Sequence, residues 1–322
     1  MILLTGAAGF IGSALAAYLN QLGYTELILV DDFSRPDRRP NWATKRYRLT
    51  VPRTALFEWL TMEKPDLAVI FHLGARTDTA LKAEAIFTEL NLSYTQRLWQ
   101  WAAAAEVPFF YASSAATYGG GEMGFSDVEA LLPQLRPLNP YARSKHAFDL
   151  WAVAQTQTPP RWAGFKFFNV FGPNEYHKGR MASVAWHGFR QIQEAGKIRL
   201  FRSHRPDYAD GEQKRDFIYV KDVVRVLVWF WQSGAASGIY NLGTGQARSF
   251  RELAEALFTA LGRPPCIEYI DMPLDIRDSY QYFTQAEMTK LRQAGYVEPF
   301  YSLERGIEDY VRSYLFPELR YW

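Results

Sequence analysis

Short apolar runs alternate with longer amphipathic stretches through the first half of this 322-residue chain. Residues 2–5, 27–30, 67–73, 107–112 and 164–168 are aliphatic and aromatic runs of strand length, while residues 13–22, 79–105 and 139–155 carry apolar positions at helical spacing. Runs with no polar alternation suit strands buried on both faces, and helices between them suit parallel connections. The pattern therefore predicts an α/β chain built on a Rossmann-type, doubly wound parallel sheet, followed by a smaller mixed α/β C-terminal part. A sheet of this kind binds ligands beyond the carboxyl ends of its strands. Leu73-Gly74-Ala75, Ala112-Ser113-Ser114 and Phe168-Asn169-Val170 fall at those ends.

The first strand runs into Thr5-Gly6-Ala7-Ala8-Gly9-Phe10-Ile11-Gly12, and the second ends in Asp31-Asp32. Strand, glycine turn, helix, strand and acid in that order is a dinucleotide-binding arrangement. The glycines admit a pyrophosphate to the helix N-terminus, and an acid about twenty residues on can accept a ribose hydroxyl. Asp31 favours NAD, because a carboxylate repels a 2′-phosphate. Arg35, Arg38, Arg39 and Lys45 follow closely and can accommodate that phosphate. Residues 1–170, with a later returning segment near 216–245, are expected to form the dinucleotide-binding part, and 171–322 mainly the substrate-binding part.

Composition narrows the classes. With 36 Lys+Arg against 34 Asp+Glu, the chain lacks the basic excess of a nucleic-acid binder or a polybasic membrane anchor. A single cysteine, Cys266, makes neither an internal disulfide nor a cysteine-rich metal site, and no metal is expected. No charged residue precedes Glu26, which raises the question of a targeting segment. That stretch has no basic start, and Gly6, Gly9, Gly12, Asn20 and Gly23 break it. The expectation is a cytoplasmic protein without a membrane partner.

Tyr141-Ala142-Arg143-Ser144-Lys145 supplies chemistry. Positions i and i+4 share a helix face, and an ammonium beside a phenol lowers its pKa, which makes Tyr141 a usable acid/base at neutral pH. Ser114, at the end of the preceding strand, can hold the substrate oxygen that loses its proton. With the glycine turn, these residues resemble the Ser-Tyr-Lys set of short-chain dehydrogenases/reductases. The Thr-Gly-x-x-Gly-x-x-Gly form resembles the extended branch of that superfamily. Asn91, inside the long helix, corresponds to an asparagine that lines the cofactor site in this superfamily.

Lys214-Arg215-Asp216-Phe217-Ile218-Tyr219-Val220-Lys221-Asp222-Val223 and Tyr240-Asn241-Leu242-Gly243-Thr244-Gly245 resemble extended-branch enzymes acting on nucleotide-linked sugars. Ala115-Ala116 stands where a 4,6-dehydratase carries Asp-Glu, and alanine transfers no protons. A 4-epimerase or reductase of another nucleotide sugar remains an alternative. Residues 111–120, 164–173 and His177-Lys178-Gly179-Arg180-Met181-Ala182-Ser183 resemble the ADP-L-glycero-D-manno-heptose 6-epimerase family, and the likeness extends to about residue 310.

That resemblance implies inversion at C6 of ADP-D-glycero-D-manno-heptose through a transient C6 ketone, in lipopolysaccharide inner-core precursor synthesis, by a homo-oligomer. It also implies a bound nicotinamide, NADP by family preference. It gives Tyr141 and Lys178 the acid/base roles and Lys145 a supporting one. Phe10, Ile11, Asp31, Asp32, Arg38, Asn91, Val170 and Lys178 would contact cofactor. Asn169, Arg180, His187, Phe201, Arg215 and Tyr280 would join Ser114 around the substrate. Three departures stand out. Asp31-Asp32 replaces the family's Asp-Asn, which favours NAD. Residues 201–213 are longer than the family norm and would lie near the ADP. Asp278-Ser279 precedes Tyr280 where the family offers a basic residue.

Overall fold

A computed structural model of the chain describes residues 1–79, 81–277 and 280–322. Among the described residues the strands, in chain order, are β1 (Ile2–Thr5), β2 (Leu27–Asp31), β3 (Leu49–Pro52), β4 (Val69–His72), β5 (Phe109–Ser114), β6 (Trp162–Phe167), β7 (Asn169–Phe171), β8 (Ile198–Phe201), β9 (Lys214–Tyr219), β10 (Gly238–Leu242), β11 (Ala247–Ser249) and β12 (Ile267–Ile270). Seven of them form a parallel sheet in the order β10-β6-β5-β4-β1-β2-β3. The order reverses between β1 and β4, which makes the crevice at their carboxyl ends the natural ligand position.

Two-sided burial explains the unbroken apolar runs. Successive residues of β1 feed opposite layers. Ile2 and Leu4 pack with Leu15, Leu19, Val223 and Leu227 from helices Phe10–Gln21 and Val220–Ser233. Leu3 packs with Leu98, Trp99 and Phe148 from helices Tyr94–Ala104 and Pro140–Val153. The edge strand β3 escapes the hydrophobic pattern because only Val51 of its four residues is buried.

The expected helix over 79–105 begins later, at Glu84, and is interrupted by a π-helical turn, Thr88–Ser93, that contains Asn91. The returning segment divides. Strand β10 joins the parallel sheet and helix Val220–Ser233 packs on it, whereas β9 pairs with β7 and β11 in a separate three-stranded sheet. The second lobe adds a β12-β8 pair and helices Val184–Ala195, Phe250–Leu261 and Leu303–Tyr310. No helix among the described residues is long and apolar enough to cross a membrane.

Candidate active site

The glycine turn brings three backbones together at the switch point. Gly6 has φ +70°, and a Cβ there would meet the Gly74 nitrogen at 2.7 Å. A Cβ on Gly12 would meet the Gly6 carbonyl oxygen at 2.1 Å. Gly9 caps helix Phe10–Gln21 without a side-chain hydrogen bond, so the first N–H groups are left for another acceptor. One groove is lined here by Gly6, Gly9, Phe10, Ile11, Gly12, Asp31, Arg38, Leu73, Gly74, Ala75 and Lys178. The glycine cradle fits a dinucleotide pyrophosphate, as the turn predicts.

The groove continues past β2 into a cavity with Asp31, Asp32, Arg35, Arg38, Arg53, His72, Arg76 and Tyr94 on its walls. Asp31 accepts hydrogen bonds from the Ala8 and Asp32 amides, at 2.9 and 2.7 Å. Burial nevertheless holds its pKa above the ordinary value. Arg38 approaches Asp31 at 3.5 Å, and its buried Nε has no partner. Arg35 is paired with Asp37 at 2.6 Å. Arg39 and Lys45 do not line this cavity, whereas Arg53 and Arg76, which the pattern analysis did not single out, do. Arg53 directly follows β3, the strand that the pattern concealed.

At its other end the groove opens into a cavity of about 390 Å³. Ser114, Ala116, Tyr141, Lys145, Asn169, Val170 and Lys178 all line it. Helix Pro140–Val153 is fixed by Asn139, whose side chain accepts the Ala142 amide at 2.9 Å. Tyr141 and Lys145 project from its cavity face. The Tyr141 hydroxyl lies within hydrogen-bonding reach of Ser114, which favours the phenolate, but burial dominates and raises the Tyr141 pKa. The expected lowering by Lys145 is not what the geometry gives. The Lys145 ammonium donates to the Ala112 carbonyl at 2.8 Å, and burial lowers its own pKa to about 8.

Lys178 reaches the same cavity from the second lobe, on the 3₁₀ segment Tyr176–Met181. Its ammonium lies 5.3 Å from the centre of the Phe10 ring. Burial lowers its pKa, and the nearby Glu175 carboxylate opposes that shift. Two lysines of reduced basicity and one tyrosine therefore surround one space, entered from both lobes.

Other expected residues are placed differently. Asn91 does not reach the groove; its amide exchanges hydrogen bonds with the Arg76 backbone at 2.8 and 2.9 Å and donates to Ser144. The π-helical turn aims it at the segment following β4 rather than into the cavity. Arg180 pairs with Asp78 at 3.0 Å, on the rim. His187 stands half-buried on helix Val184–Ala195, outside the cavity lining. Phe201, Arg215 and Tyr280 form a separate cluster next to it. The Arg215 guanidinium lies 5.1 Å from the Tyr280 ring and 5.5 Å from that of Phe250, which lines the cavity. Phe201 meets Tyr280 edge-on at 6.0 Å. The 201–213 loop stands beside this cluster. His204 donates its amide to the Tyr282 hydroxyl at 3.0 Å, and Arg205 lies over the Tyr282 ring at 5.1 Å. The Asp278-Ser279 pair lies outside the described residues.

A doubly wound sheet with a glycine cradle at its switch point and Ser, Tyr and Lys at one strand-end cavity defines a nicotinamide-dependent enzyme of the extended short-chain dehydrogenase/reductase type. Residues 2–243 match the NAD dependent epimerase/dehydratase family. An ADP-L-glycero-D-manno-heptose-6-epimerase of Fusobacterium nucleatum is 42% identical, with 100% of both chains covered. One from Nitratidesulfovibrio vulgaris is 46% identical over 98% of each chain. The crystal structure of the Helicobacter pylori ADP-L-glycero-D-manno-heptose-6-epimerase is similar with a TM-score of 0.83 at 27% identity, covering 97% of this chain and 95% of that one. The chain belongs to the NAD dependent epimerase/dehydratase family and, within it, to the ADP-L-glycero-D-manno-heptose-6-epimerases.

Proposed function

We propose that this protein inverts C6 of ADP-D-glycero-D-manno-heptose, giving the L-glycero epimer for lipopolysaccharide inner-core synthesis. The observation that carries this reading is the pair of acid/base candidates from opposite lobes, Tyr141 and Lys178, on one cavity. A bound nicotinamide supplies the hydride acceptor and donor. The two C6 configurations present their hydroxyls differently to a fixed nicotinamide, so a proton acceptor is needed in each of two positions. Tyr141, with Ser114 beside it, serves one position and Lys178 the other. Lys145 holds the strand end at Ala112 and the cofactor ribose. Asn169 holds the sugar. Arg215, Tyr280 and Phe201 form the wall for the ADP moiety, where a buried guanidinium suits a diphosphate. Arg180 stands at the rim, where it can meet the sugar nucleotide from outside, and His187 takes no part in the cavity lining.

NADP is the preferred nicotinamide in this reading. Arg35, Arg38, Arg53 and Arg76 surround the end of β2, against the two carboxylates of Asp31 and Asp32, and the unpaired Arg38 Nε suits a 2′-phosphate. The protein works in the cytoplasm as a homo-oligomer, without nucleic-acid or membrane partners. The test is incubation with ADP-D-glycero-D-manno-heptose and resolution of the C6 epimers. Tyr141→Phe and Lys178→Met each impair conversion, and together they abolish it. No conversion by protein with bound nicotinamide, or full activity in Lys178→Met, overturns the reading.

A further inference from the structure

The two acid/base candidates stand on unlike supports. Tyr141 rises from a capped helix packed on the parallel sheet. Lys178 sits on a short 3₁₀ segment that breaks at Gly179, where φ is +54°. Such a segment has too few hydrogen bonds of its own to fix a side chain, so its placement must come from contacts at a distance.

Two buried side chains provide them. Glu175 is 0% exposed. Its Oε1 accepts the Gly172 amide at 3.1 Å and the Ser183 hydroxyl at 2.7 Å, and its Oε2 accepts the Ser183 amide at 2.5 Å. One carboxylate thus joins residues 172 and 183, the two ends of the segment that carries Lys178. Asn41, 1% exposed, comes from the dinucleotide-binding side. Its Nδ2 donates to the Ala8 carbonyl at 3.0 Å and to the Asn174 carbonyl at 3.2 Å, and lies 3.1 Å from His177 Nδ1. Asn174 adds a second tie, donating to the Ser13 hydroxyl at 3.0 Å.

We propose that Glu175 and Asn41 are positioning residues for Lys178, with Glu175 knotting residues 172–183 into a fixed loop and Asn41 tying that loop to the dinucleotide turn. The ammonium is then held against the Phe10 ring at the junction of the two lobes. Neither side chain lines the substrate cavity, so each acts through Lys178. This inference rests on the proposed acid/base role of Lys178.

The test is a double-mutant cycle on purified holoenzyme, with nicotinamide content measured for every variant. Glu175→Gln puts an amide NH₂ where an acceptor is required, and Asn41→Ala removes the tie. Each lowers kcat by on the order of 10- to 100-fold, the scale of a misplaced catalytic group. KM for the sugar nucleotide stays within about threefold, since ground-state binding is not their task. In the Lys178→Met background the same substitutions cost nothing further, because the group they position is already gone. A cost that persists undiminished in Lys178→Met marks a merely structural role and overturns the inference. So does unchanged kcat in both single variants. Full activity in Lys178→Met alone instead overturns the reading of Lys178. If Glu175→Gln yields no folded holoenzyme, Glu175→Asp decides; it keeps the carboxylate and shortens its reach to the three donors. A smaller loss that vanishes in Lys178→Met supports the inference, and any other result refutes it.

Discussion

The buried ion pair beneath the cavity gives a stability prediction that can be worked from the structure. Lys166 of β6 and Asp149 of helix Pro140–Val153 are both wholly buried and meet at 2.7 Å. Asp149 also accepts the Ser113 and Tyr111 hydroxyls, at 2.7 and 3.0 Å, and Lys166 also donates to Thr117 at 2.6 Å. At 2.7 Å and an effective dielectric constant near 20 the attraction is about 6 kcal/mol. Desolvating two ions costs several kcal/mol each, so the intact pair contributes a net value close to zero. Breaking it is another matter. Asp149→Ala strands a buried ammonium and leaves two hydroxyls without an acceptor, which should cost about 3–5 kcal/mol. That is a large part of a typical stability of about 5–15 kcal/mol. Asp149→Leu combined with Lys166→Met removes both charges and should return to within about 2 kcal/mol of the parent. Urea unfolding followed by circular dichroism measures all the variants. A single-variant cost below about 1 kcal/mol, or a double variant as unstable as the sum of the singles, refutes the reasoning. The same network bears on the site, because Thr117 donates to the Ser114 carbonyl at 2.8 Å.

Two further predictions concern charge. Replacing Arg38 and Arg53 together by Ala should weaken NADP by at least about tenfold, the scale of one lost charged hydrogen bond, while NAD binding changes by less than about threefold; equal losses, read by calorimetric titration, would mean that these cations do not face the 2′-phosphate. Burial lowers the Lys145 pKa from 10.5 to about 8. The native state therefore binds fewer protons than the unfolded chain across that window, and this group makes stability rise with pH by up to about 3 kcal/mol. Lys145→Met should flatten that rise in melting temperature between those pH values, and an unchanged slope would contradict the assigned burial effect.

Local spacing made much of the fold and part of the site legible. The glycine turn announces itself because its three glycines each answer to a contact within the same strand-turn-helix unit or the neighbouring strand. Tyr141 and Lys145 share a face by helical geometry alone. What spacing does not determine is which partner a side chain chooses. The Lys145 ammonium donates to the Ala112 carbonyl, and burial raises the Tyr141 pKa where a lowering was expected. Asn91 is aimed away from the groove by a π-helical turn that no apolar period reveals. Arg53 stayed hidden because β3 is an edge strand with one buried residue. Lys178 came into view only through family resemblance, since a lysine in a short loop has no periodic signature.

The residues that fix Lys178 were the least legible, and the reason is topological. Asn41 and Asn174 are separated by 133 positions and meet where the helix after β2, the glycine turn and the segment after β7 come together. Tyr141 needs no such meeting, for its helix carries its own cap and packs directly on the sheet. A loop held by a few long-range hydrogen bonds opens at lower free energy than a packed helix, so the placement of Lys178 depends on the register of the two lobes while that of Tyr141 does not. That asymmetry suits a reaction in which one proton acceptor serves each face of the same carbon. In the proposed reaction the site is complete only when both halves of the chain are correctly joined.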